Sequence, residues 1–90
     1  MSKKREGELR KQIGEGFEAK RILDNPLVVE YFENARGGIM QRLQTADVDE
    51  EQERELVRML KVMAHFERDF TKKIKSGNKA ENLLAQLFKR

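Results

Sequence analysis

The sequence predicts an all-α protein: an antiparallel αα-hairpin with a long third helix, a short N-terminal helix and a C-terminal amphipathic helix. Three observations predict it. Apolar residues recur at three- and four-residue intervals through most of the 90 residues, the spacing of one helix face. Strand-like sequence is confined to Leu27-Val28-Val29, inside a longer helical pattern. Helix-start and helix-stop residues divide the chain into four periodic segments.

Residues 1–7 carry no apolar side chain beyond Met1, so they are expected to form a mobile basic arm ahead of a single helical domain over 8–90. Leu9, Ile13 and Phe17 lie at i, i+4 and i+8 and predict a first helix over about 8–24, weakened by Gly14 and Gly16. Asp24-Asn25-Pro26 ends it. Proline disfavours helical geometry in the residue before it and suits the first position of a new helix, which Asn25 or Asp24 can cap. The second helix, 26–44, carries the stripe Val28, Phe32, Ala35, Ile39, Leu43 and continues through Gly37-Gly38.

A third helix is predicted over 49–76. Asp47 or Asp49 can cap it, and Glu50, Glu51 and Glu53 suit the positive end of its dipole. Its stripe is Leu56, Leu60, Met63, Phe70 and Ile74, widened by a second row, Met59, Val62 and Phe66. Ser76-Gly77-Asn78 reads as a stop, with Gly77 the left-handed cap. A fourth helix, 79–89, then presents Ala80, Leu83, Leu84, Leu87 and Phe88 on one face. The short connection between helices two and three makes them antiparallel neighbours. The first helix is expected to fold back against that hairpin, and the third to overhang its neighbours past Phe66.

Composition narrows the function classes. Charged residues make up 39% and hydrophobic ones 38%, so the core is thin for a chain that is small already. Without cysteine there is no disulfide scaffold, thiolate metal site or cysteine nucleophile. No apolar run is long enough to span a membrane. The charged N-terminus is unlike a secretory signal, and the expected compartment is the cytoplasm. The lone His65 has Asp69 at i+4, too few ligands for a metal site. The acidic block from Asp47 to Glu55 lacks the spacing of a calcium loop, and the glycines form no phosphate-binding loop. The expectation is a protein with no enzymatic activity, no metal and no cofactor. Glu67 interrupts the third-helix stripe. It sits either at the edge of that face or buried in a pair with Arg36 or Arg42.

Phe70, Ile74, Leu83, Leu84, Leu87 and Phe88 together would leave an apolar face too large to stay bare. They are the expected protein-contact residues, and a homo-oligomer is the expected state. Charge is segregated: +3 over residues 1–11, −5 over 47–55 and +5 over 68–90. Lys3, Lys4, Arg5, Lys72, Lys73, Lys75, Lys89 and Arg90 are therefore candidate nucleic-acid contacts. A third reading is an inhibitor of a host protein that binds through its acidic hairpin tip.

The order of landmarks has a counterpart. Ala19-Lys20-Arg21-Ile22-Leu23-Asp24-Asn25-Pro26-Leu27 leads into a helix bearing Tyr31-Phe32. A short acidic linker and Glu53-Arg54-Glu55-Leu56 follow, and then a long basic amphipathic helix reaching Ser76-Gly77-Asn78-Lys79-Ala80. Over residues 19–81 this resembles a group of small tailed-bacteriophage helical proteins encoded near virion-assembly genes. Val57 stands near the place where members of that group usually carry a Trp. The resemblance implies work in virion assembly or DNA-packaging support, in the host cytoplasm or the virion, with a phage or host protein as partner. It carries over no functional residue.

Overall fold

Two polar interruptions set the architecture. At the first, Asn25 holds extended geometry (φ −64°, ψ 124°), and its Oδ1 accepts from the amides of Leu27 at 2.8 Å and Val28 at 3.4 Å, with Pro26 behind it. At the second, Asp49 and Gln52 cap each other reciprocally: the Gln52 amide donates to Asp49 Oδ1 at 2.8 Å, and the Asp49 amide donates to Gln52 Oε1 at 3.4 Å. Both satisfy amides that a helix start otherwise leaves without partners. The computed structural model describes residues 3–45 and 47–89. Its helices are α1 (Lys3–Asp24), α2 (Pro26–Leu43) and α3 (Glu50–Phe88), and no strand occurs among the described residues.

The hairpin is built differently from the expectation at both ends of the chain. α3 does not stop at Ser76-Gly77-Asn78. It runs without interruption for 39 residues, about 58 Å at 1.5 Å per residue, and the expected fourth helix is its last turns. A left-handed cap needs positive φ, and no described glycine has it. At the N-terminus, Lys3 to Gly7 are the first turns of α1, not a mobile arm; Met1 and Ser2 lie outside the described residues. An i, i+4 pair between Glu6 and Arg10 at 3.0 Å and the complete burial of Leu9 extend the helix into this segment.

Nor does the first helix fold back beside the α2–α3 hairpin. α1 and α2 run end to end along α3 in the opposite direction. Glu15 pairs with Lys73 at 3.2 Å and Gly16 abuts Gly77, while Phe32 meets Phe66 and Arg36 pairs with Glu67 further along. α1 therefore lies on the stretch of α3 beyond Phe66 that was expected to overhang. The molecule measures 65 × 24 × 15 Å with a radius of gyration of 19.1 Å, where a compact domain of this length has about 12 Å. It is a plank two helices wide and one layer thick.

The α1–α3 contact is closed by small residues. Gly16 and Ala19 of α1 and Gly77 and Ala80 of α3 are all buried, each pair in the same Gly-x-x-Ala spacing. A Cβ placed on Gly16 would stand 3.1 Å from Gly77 Cα, and one on Gly77 would stand 3.0 Å from the Gln12 carbonyl oxygen. The backbones touch, so these positions need glycine for space. Burial follows the seven-residue spacing Leu9, Gly16, Leu23 on α1 and Phe70, Gly77, Leu84 on α3, the repeat that keeps two helices facing each other. This explains why Phe17, expected inward, is 62% exposed. Steps of four drift by about 40° each on a helix of 3.6 residues per turn, and by residue 17 the row has left the seam.

Substitution at the contact should divide the glycines sharply. Gly77→Leu is expected to cost about 2–3 kcal/mol through overpacking. Gly14→Ala, where nothing lies within 4 Å of the new methyl, should gain about 0.5–1 kcal/mol in helix propensity. Urea denaturation of the two variants beside the parent checks this, and equal effects at both positions would contradict the close crossing.

Candidate interaction surface

The six expected contact residues do not form one open face. Phe70 lies beside Ala19 and Ile22, and Ile74 beside Ile13 and Gly16. Leu83 and Leu84 are half-buried as well. Only Leu87, 43% exposed, and Phe88, 66% exposed, remain at the end of α3. The correction follows from the fold: α1 covers this half of α3, and the uninterrupted helix carries Leu83 and Leu84 along the covered side.

The open apolar surface lies instead in the other half. Met59, Val62 and Phe66 form one ridge of α3 and are exposed by 50%, 63% and 38%. Sequence reasoning placed them as the widening row of a buried stripe. In the structure α2 sits on the neighbouring stripe, half-burying Leu56, Leu60 and Met63 around its own buried Ile39, and leaves most of the second row open, Phe66 meeting Phe32. Leu27 and Tyr31 of α2 are also exposed. Sequence reasoning named neither as a contact residue; their four-residue spacing beside the Val28–Phe32 stripe was the available signal.

Rings connect these two groups across the helix pair. Tyr31 meets Phe32 edge-on with centroids 5.9 Å apart, Phe32 meets Phe66 at 5.4 Å, and Phe66 stacks on Phe70 at 4.4 Å. Such pairs contribute about 0.5–1.5 kcal/mol each beyond the area they bury. Of these pairs, only Phe32–Phe66 crosses from α2 to α3, and the one buried side chain of α2 is Ile39. Glu67 combines features of both expectations: it is half-exposed at the edge of the stripe and paired with Arg36.

Charge is divided along the long axis. The antiparallel register sets the start of α1, with Lys3, Lys4 and Arg5, beside the last turns of α3, with Lys89; Arg90 lies outside the described residues. Lys72, Lys73 and Lys75 are exposed nearer the middle, and Lys73 is the partner of Glu15. The acidic start of α3 is at the opposite end. His65 faces Asp69 at 3.5 Å, and no group of three metal-ligating side chains occurs among the described residues. The depression lined by Glu50, Glu53, Arg54, Val57, Arg58 and Lys61 is walled by one helix alone, so it cannot enclose a small molecule. No described helix is long and apolar enough to cross a membrane. No protein-family model, curated protein or solved structure matches the chain.

The Arg36–Glu67 pair is open to solvent on both sides, with side-chain exposures of 45% and 40%, and such pairs contribute little. Glu67→Leu should change stability by no more than about 1 kcal/mol, since it restores the apolar stripe. Thermal denaturation is the measurement, and a loss several times larger would mean that the pair holds α2 in place.

Proposed function

We propose that this chain is a non-enzymatic helical protein that acts by protein–protein contact and self-associates. The setting we propose is the one its sequence resemblance implies, virion assembly or DNA-packaging support in a tailed phage. One observation carries the self-association reading. The accessible surface is 7498 Å², about 2,000 Å² more than a compact monomer of this mass exposes. The excess includes large apolar side chains on both helices of the α2–α3 half. A standard interface removes about 800 Å² per partner, so the surplus can accommodate one.

A nucleic-acid accessory role is the second reading, favoured by the convergence of Lys3, Lys4 and Arg5 with Lys89 at one end. Phosphate contacts of this kind lose affinity steeply with salt.

The expected result in light scattering coupled to size exclusion is a mass above 10.6 kDa that falls on dilution. A monomer at about 1 mM, where even weak association with ΔG near −4 kcal/mol is half-populated, overturns the reading. In the same measurement, added DNA should shift the elution at about 50 mM salt and not at about 200 mM if the second reading holds.

A further inference from the structure

We propose that a second copy of this chain packs antiparallel on the ridge Met59–Val62–Phe66, with the two-fold axis beside Val62. This rests on the self-association reading and assigns its surface and orientation.

The ridge belongs to a longer row. Met59, Phe66, Lys73 and Ala80 are spaced by seven and so lie on one side of α3. α1 covers the lower part of that row: Ala80 is buried and Lys73 is held by Glu15. α1 ends at Asp24 and α2 resumes on the adjacent stripe, where Phe32 packs on part of Phe66; Met59, Val62 and the rest of Phe66 stay exposed. The row is half of a helix–helix contact that this chain does not complete. Tyr31, joined to Phe66 through Phe32, and Leu27 one turn before it broaden the patch onto α2.

The occupant is identified by symmetry and charge. Met59 and Phe66 stand three residues before and four after Val62, so an antiparallel copy sets Val62 against Val62 and Met59 against Phe66. A thioether against a ring is a favourable contact, and the pairing is self-complementary, as a two-fold interface requires. The same register carries Glu51 of each copy, on the ridge side of α3, alongside Lys72 and Lys73 of the other. A parallel pairing would stack the −5 segment over 47–55 on its own duplicate, and like charges held together penalise a wrong orientation. Glu55 and Asp69 fall opposite each other in this register. Each already has a basic neighbour in its own chain, Arg58 at 3.1 Å and His65 at 3.5 Å.

The chain has no cysteine, so single-cysteine variants report the geometry directly. Val62→Cys should form a disulfide-linked dimer under mild oxidation at least about tenfold faster than Met40→Cys, a control on α2 that is also exposed (47% against 63% for Val62), because only a residue beside the axis brings two Cα atoms within about 7 Å. Circular dichroism verifies that both variants are folded. Lys72→Glu should weaken the dimer, and Glu51→Lys added to it should restore it. If the parent is dimeric but Val62→Cys crosslinks no faster than Met40→Cys, this interface is wrong and self-association stands. If the parent is monomeric at high concentration, both fail.

Discussion

The contact on which the structure depends is the crossing of two backbones at Gly16 and Gly77. Helices with ordinary side chains at the contact stand 8–10 Å apart. Here a single Cβ would meet the neighbouring backbone at about the closest approach that atoms allow. That closeness aligns α1 with the C-terminal half of α3, buries Leu9 and Ala80, and lets α3 continue through a Ser-Gly-Asn sequence that favours stopping. Two glycines inside helices cost about 1 kcal/mol each relative to alanine. The packing of α1 offsets that cost, and without it the C-terminal turns of α3 have no reason to remain helical.

What α1 does for one half of α3, α2 does poorly for the other. α1 is 22 residues long and buries Leu9, Gly16 and Ala19; α2 is 18 residues long and buries Ile39. α2 also carries Gly37-Gly38 with nothing within 4 Å of either, so these glycines weaken the helix without enabling a close approach. The plank is tightly joined at its basic end and loosely joined at its acidic end. The large exposed side chains of α2 and the ridge of α3 lie on the loosely joined half.

The parts of this fold that were legible in the sequence are those settled within a few residues. Asn25-Pro26 and the Asp49–Gln52 box work through neighbouring amides, and the Val28–Ile39 and Leu56–Met63 stripes follow from local spacing. Gly77 shows the limit. A glycine between Ser76 and Asn78 has the same local signature whether it caps a helix or lets a neighbour approach, and the deciding residue is Gly16, sixty-one positions away. The matching Gly-x-x-Ala spacing at 16–19 and 77–80 was the only trace of that contact in the sequence. The distribution of open apolar surface has the same origin. Local spacing alone leaves Phe70, Ile74, Leu83 and Leu84 bare because it does not place the first helix over them, and it counts Met59 and Val62, which are exposed, as a row that widens the α3 stripe.

A chain with one firm half and one loose half couples assembly to its own ordering. Phe66 contacts both Phe32 of α2 and Phe70 of the firm half, so whatever covers Phe66 also restrains the ring that anchors α2. A partner on the ridge, as proposed, would therefore also restrain α2 through Phe32. Under the proposed self-association, the plank would gain its second layer from another copy of the chain instead of from more of its own.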